Sequence, residues 1–315
     1  MRILVIGAGA TGGFYGGKLA LAGRDVTFLV RGKRAEQLRQ NGMTLRTPTG
    51  EQHIAEPKLI TAAELANTPA FDLILLAVKA YGFAASLDDF AAAVGPDTLI
   101  LPLLNGMSHL AKLDARFGRE HVLGGLCRIV GDIDPDTGAI VQMTPLSDIA
   151  YGERDLAATD RIRRVDETMQ GAGFHAILAP DINASMWVKW MLLASTVSIN
   201  VLGRGTIGEI EALDTLDRIG FRFQNRVIDE AASIATANGY APDAASETMI
   251  RKRLTEKGAN FTASLYRDLT RGFPVEADQI IGDILLAGRE KGVDTPLIEA
   301  AYVQLKVHEA RQQRD

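Results

Sequence analysis

The chain has 315 residues, 47% of them hydrophobic and 23% charged, a composition ordinary for a globular protein and a length that calls for two cores. Lys and Arg number 34 against 39 Asp and Glu, and the net charge of −5 gives no general attraction to nucleic acid or to an anionic membrane. The single cysteine, Cys127, excludes an intrachain disulfide framework, suits a reducing compartment and stands in no Cys/His spacing that suggests a metal.

The first element is an apolar strand, Arg2 to Ile6, with none of the features of a signal peptide, so the protein is expected to be cytoplasmic. It runs directly into Gly7-Ala8-Gly9-Ala10-Thr11-Gly12, and a helix is predicted from Thr11 to Ala22. This is the dinucleotide-binding fingerprint. Gly7 permits the tight turn, Gly9 lets backbone approach a pyrophosphate, and Gly12 lets helix and strand pack closely. The pyrophosphate would sit on the free N–H groups and positive dipole end of that helix.

The second strand, Asp25 to Val30, ends where NAD-binding chains usually place an acid. Here Arg31 follows, then Gly32, Lys33 and Arg34. A guanidinium is suited to forked recognition of a 2′-phosphate, which favours NADP over NAD. The alternative is a solvated basic loop.

Met43 to Ile60 is expected to form a hairpin or extended excursion turning at Pro48-Thr49-Gly50. Phe71–Val78 and Asp97–Leu104 are near-continuous apolar runs of the kind found in parallel strands covered on both faces. They end at Lys79 and at Asn105-Gly106, and the carboxyl ends of such strands are where ligands bind. Further short strands are predicted at Val122–Gly131, Ala139–Met143 and Ile149–Tyr151, with a turn from Asp134 to Gly138.

From Asp181 onward the pattern is helical. The first helix, Ile182 to Leu202, has Asp181 as its expected N-cap and Gly203 as its close. It is apolar enough to compete as a membrane span, but its serines, asparagines and lysine favour a buried central helix. Later helices are predicted at Leu216–Asn238, Ala244–Glu256, Phe261–Thr270, Val275–Lys291 and Pro296–Gln313. The expected fold is α/β plus all-α: an N-terminal Rossmann-type doubly wound sheet over 1–178 and a C-terminal helical domain over 179–315. The long apolar helices are compatible with a monomer or a homodimer.

Lys189 is the only charged residue in that first helix. Burying an unpaired ammonium is expensive, so the group must pair, reach water or lower its pKa. A lysine so placed suits a general acid for ketone reduction; otherwise it extends its alkyl stem to solvent.

The segments Gly7–Gly12, Arg31, Val78-Lys79-Ala80, Asn105-Gly106-Met107, Trp187-Val188-Lys189 and Ser264 to Asp268 followed by Glu276, Asp278 and Gly282 occur in that order. In order and spacing they resemble the ketopantoate reductase (2-dehydropantoate 2-reductase) family over nearly the whole chain. The resemblance implies a Rossmann domain and a helical domain with the active site in the cleft between them. It implies NADPH-dependent reduction of 2-dehydropantoate, a small oxo acid, to pantoate on the route to coenzyme A. By resemblance Lys189 is the proton donor and Glu276 the active-site glutamate. The same resemblance implies that Asn105 lies beside nicotinamide and substrate, that Ser264 binds the substrate carboxylate, and that Lys79 and Arg31 contact NADPH. One departure stands out: the family's asparagines four and eight residues after the lysine are Leu193 and Val197 here. Those positions share the lysine's helical face. Asn200, three residues beyond Val197, points about 60° away. The pocket wall is therefore expected to be more apolar, and a reductase of a different oxo acid, or a cofactor-binding sensor without turnover, is the alternative.

Overall fold

A computed structural model describes residues 1–312. The chain divides into two compact units, one of residues 1–104 and 109–182, the other of 105–108 and 183 onward.

The first unit begins β1 (Arg2–Ile6), α1 (Ala10–Leu21), β2 (Asp25–Leu29), α2 (Gly32–Asn41), β3 (Met43–Thr47), β4 (Gly50–Ile54) and β5 (Lys58–Ile60). It continues through α3 (Ala62–Leu65), β6 (Leu73–Leu76), α4 (Ala80–Phe90), β7 (Leu99–Pro102) and α5 (Ser108–Phe117). The chain then forms β8 (Gly124–Ile133), β9 (Ile140–Gly152), α6 (Asp160–Met169) and β10 (His175–Leu178). Five strands make a parallel sheet in the order β5-β2-β1-β6-β7. Strand β6 lies inside the sheet and is buried along its whole length, which is why it reads as an unbroken Leu/Ile run, and β7, the last strand of the order, is buried as well. The chain leaves β1 toward β2 on one side and later returns to β6 on the other. The order therefore reverses between β1 and β6, whose carboxyl ends carry Gly7 and Lys79.

A second sheet, β10-β9-β3-β4 with β8 also on β9, departs from the expected pattern. The predicted hairpin is β3 and β4, paired Thr47↔Gly50 around Pro48 and Thr49. The two short strands predicted at Ala139–Met143 and Ile149–Tyr151 are instead one 13-residue strand, β9. It runs through Pro145, and its pairing with β8 slips between Ile129 and Gly131. The bulge absorbs the irregularity that looks like a break in the residue pattern. Helix α6 interrupts the expected strand-rich stretch; its apolar residues Ile162, Val165 and Met169 are buried at helical spacing.

The second unit is helical: α7 (Ile182–Gly203), α8 (Ile207–Glu211), α9 (Thr215–Ala237), α10 (Ala244–Leu254), α11 (Ser264–Thr270), α12 (Asp283–Glu290) and α13 (Pro296–Gln312). Gln313, the expected end of the last helix, lies outside the described residues. Among the described residues α7 alone is long and apolar enough to cross a membrane, but 67% of its most apolar window is buried within the protein. It is the central helix of this core, with Met191, Ala194, Val197 and Ile199 packed among Val227, Ile228, Ile284 and Ile298.

Three boundaries differ for identifiable reasons. Leu216, Asp217 and Arg218 adopt positive φ, so the first turn assigned to α9 is not α-helical. Phe261 and Thr262 stay outside α11 because Ala263, its N-cap, has extended backbone (φ −65°, ψ 148°), and its N–H donates to the Asn200 side chain at 2.9 Å. The predicted helix from Val275 opens at Ala277 with a π turn over Asp278–Gly282 before α12 begins.

Candidate active site

The glycine turn follows the steric logic of its sequence. Gly7 has φ +98°, and a Cβ added there would lie 2.7 Å from the Ala77 carbonyl oxygen. At Gly12 an added Cβ would lie 2.1 Å from the Gly7 carbonyl oxygen and 3.0 Å from Ala77 Cβ. Gly9 is different: its φ of −88° and ψ of −162° suit any residue, and an added Cβ meets nothing within 4 Å. Gly9 is the N-cap of α1 and supplies no side chain to the helix's first N–H groups. Open space over uncapped donors is the form a bound pyrophosphate requires. Ala8 is buried and Ala10 and Thr11 are half-buried around that opening. Arg34 braces the turn by donating from Nε to the Ala8 carbonyl at 2.9 Å and from Nη1 to Gly138 at 2.8 Å. Sequence reasoning grouped Arg34 with a basic run and missed this structural task.

Arg31 is the N-cap of α2 and its side chain is 59% exposed. It pairs with Asp89. That partner, 58 positions away, has no signature in the sequence. Asp89 is half-buried, but the guanidinium stands in solvent, where such a pair contributes on the order of 0–1 kcal/mol, so Arg31 can exchange the carboxylate for a stronger anion. Lys79 is exposed at the N-cap of α4.

In the second unit, the lysine and asparagine are brought together. Lys189 is half-buried, and its Nζ donates to Asn105 Oδ1 at 3.1 Å. The next two residues of the Asn-Gly-Met segment explain its placement. Gly106 has φ +76°, and an added Cβ would lie 2.2 Å from the Gln279 carbonyl oxygen. Met107 packs against the helical core. Trp187 stacks on Tyr240, with ring centroids 5.4 Å apart, and so seats the helix that carries Lys189.

Glu276 is half-buried two residues before the π turn begins at Asp278. Asp278, two residues on, accepts from Tyr302 Oη at 2.6 Å and from Lys306 Nζ at 3.1 Å. Burial pushes its carboxyl up, but these donors outweigh burial and hold it below its ordinary range. Asp278 thus fastens α13 to the turn. Ser264 is exposed as the first residue of α11.

Val197 is 1% exposed within the core, and Leu193 is half-buried on the helical face shared with Lys189. Asn200 does not replace the missing amides. It is fully buried, donating to the Gly205 carbonyl at 2.8 Å and accepting from the Ala263 N–H.

Comparison with known proteins places these features in a lineage. The family description "Ketopantoate reductase PanE/ApbA" matches residues 3–155, and "Ketopantoate reductase PanE/ApbA C terminal" matches residues 181–309. The chain is 32% identical over 310 residues to the uncharacterized oxidoreductase YkpB of Bacillus subtilis (strain 168), covering 98% of this chain and 99% of that one. Its fold is similar to the crystal structure of 2-dehydropantoate 2-reductase from Geobacter metallireducens GS-15, with TM-score 0.86, 23% identity, and coverage of 97% and 99%. It is also similar to D-mandelate dehydrogenase in a ternary structure with NADH and anilino(oxo)acetate, with TM-score 0.84, 19% identity, and 99% of each chain covered. The chain belongs to the ketopantoate reductase family, whose members are oxidoreductases that use a nicotinamide cofactor.

Proposed function

We propose that this protein reduces a 2-oxo acid to the 2-hydroxy acid with NADPH, with 2-dehydropantoate as the first substrate to test. The observation that carries the proposal is the Lys189–Asn105 contact of 3.1 Å. When bound, the nicotinamide supplies the hydride. The bond to Asn105 orients the ammonium of Lys189. As the ketone oxygen gains negative charge, Lys189 gives it a proton and becomes a neutral amine. Half-burial of Lys189 leaves it within reach of water for reprotonation. Glu276 is assigned to substrate holding, Ser264 to the substrate carboxylate, and the Gly7–Gly12 turn, Arg31 and Lys79 to the cofactor. The domains so divided are a cofactor-binding part over 1–178 and a catalytic part over 179–315. The single buried cysteine suits a cytoplasmic enzyme.

Arg31 tests the cofactor assignment, and the NADH-bound structural relative makes that test necessary. Arg31→Ser should raise KM for NADPH by about 10- to 100-fold, the worth of a charge-assisted contact, and leave NADH nearly unchanged. Equal kcat/KM for the two cofactors in the unaltered enzyme would remove the 2′-phosphate role.

Leu193 and Val197 favour a second reading, a 2-oxo acid with an apolar side chain. A pocket that hydrogen-bonds a hydroxyl rejects the analogue lacking it by about 10⁴-fold or more, whereas an apolar wall discriminates weakly. The enzyme should therefore accept 2-dehydropantoate and its deoxy analogue 3,3-dimethyl-2-oxobutanoate with kcat/KM values within about tenfold. Leu193→Asn should move the ratio toward the hydroxylated acid. Steady-state rates with both acids decide between the readings, and no NADPH oxidation with any oxo acid would favour a sensor.

A further inference from the structure

A closed ring of contacts joins the proton donor to the turn that follows Glu276. Lys189 holds Asn105 at 3.1 Å. The neighbour of Asn105, Gly106, lies against the Gln279 carbonyl, where even a Cβ would come within 2.2 Å. The neighbour of Gln279, Ile280, accepts a hydrogen bond through its carbonyl from Trp190 Nε1 at 2.9 Å, and both residues are buried. Trp190 is in turn the neighbour of Lys189. Three backbone steps and three contacts close the circuit.

Gln279 and Ile280 lie inside the π turn Asp278–Gly282, where the Asp283 N–H reaches back five residues to the Asp278 carbonyl. A π turn carries one residue more than an α turn. Relaxing it to α geometry would rotate everything on its N-terminal side by about 100° about the helix axis, the angular step of one residue. Glu276 lies on that side. The register of this turn therefore sets where the Glu276 carboxylate points.

We infer that Trp190 is a positioning residue: its indole N–H holds the π register and so aims Glu276 at the substrate bound by Lys189 and Asn105. The inference rests on the roles proposed above for Lys189 and Glu276. A wide turn leaves carbonyls imperfectly satisfied by its own helix, and a buried carbonyl needs a donor. Trp190 supplies one from the same helix that carries the proton donor, so the two catalytic side chains share one rigid reference.

Trp190→Phe removes the N–H and keeps most of the ring volume. In the cofactor-free protein, amide hydrogen exchange across residues 278–283 should accelerate at least tenfold, roughly the loss of one hydrogen bond's protection. In the enzyme, kcat should fall about tenfold, the pH profile of kcat should shift, and KM for NADPH should hold. Gly106→Ala breaks the ring on its opposite side and should reproduce that pattern. Val227→Ala, in the same core, serves as the structural control and should lower Tm without moving the pH profile. Unchanged exchange in Trp190→Phe overturns the inference, as does unchanged kcat with an unchanged profile. If the wild-type enzyme reduces no oxo acid, the functional reading fails, and the exchange measurement still decides whether Trp190 holds the turn.

Discussion

Lys189→Ala is expected to lower kcat by about 10²- to 10⁴-fold, the range for loss of a positioned general acid, with NADPH affinity within about twofold of wild type. The expected separation follows from where the residues lie. The glycine turn, Arg31 and Lys79 belong to the first compact unit, whereas Lys189 and its partner Asn105 belong to the second. Lys189→Arg distinguishes proton transfer from simple charge stabilisation. A guanidinium keeps the positive charge but does not give up its proton in proteins, so the arginine variant should be nearly as slow as the alanine variant. Recovery of most of kcat by arginine would mean that Lys189 only stabilises the developing oxyanion. Near-normal turnover in the alanine variant would remove Lys189 from the chemistry. NADPH binding by fluorescence titration and single-turnover rates make the measurement complete.

Much of this was legible because the physics acting on those residues is local. The strand before Gly7 is apolar from Ile3 to Ile6, and the part of a parallel strand buried on both faces must be. Helix α7 is legible for a similar reason: a lone lysine in 22 residues marks both burial and a polar task. Long-range pairing was not legible. β9 contains Pro145 and a slipped register, which look like a strand boundary until β3, β8 and β10 are seen on its flanks. The Arg31–Asp89 pair and the Trp190–Ile280 bond each join residues far apart in the chain, with no periodicity to announce them. Trp190 reads as one more apolar residue of a core helix, and most of its surface is that. Its single polar atom is what matters to the turn. Asn200 shows the converse. A polar residue close in sequence to Lys189 invites a pocket role, yet both ends of its amide are used to hold the Gly205 and Ala263 backbone.

Gly9→Ala and Gly12→Ala are expected to fail in opposite ways. At Gly12 the new methyl would sit 2.1 Å from the Gly7 carbonyl oxygen, a backbone atom that cannot swing aside as a flexible side chain could. Helix α1 must then shift from β1, an overpacking cost of about 3 kcal/mol at the upper end of the usual range. That corresponds to a Tm lower by roughly 6–12 °C for a unit of this size, and the displaced α1 N-terminus would bind the cofactor poorly as well. At Gly9 the new methyl meets nothing within 4 Å, and the backbone there is extended and open to any residue. The cofactor-free Gly9→Ala protein should therefore melt within about 1 °C of wild type, because no native contact is disturbed. Its methyl would occupy the space over the first N–H groups of α1, so NADPH should bind at least tenfold more weakly and lose most of its stabilising effect on Tm. Thermal unfolding with and without NADPH measures both variants. A Gly9→Ala protein that keeps the full NADPH-induced rise would show that the opening above α1 is not where the pyrophosphate lies. Full stability in Gly12→Ala would show that α1 and β1 tolerate a wider separation than their packing implies.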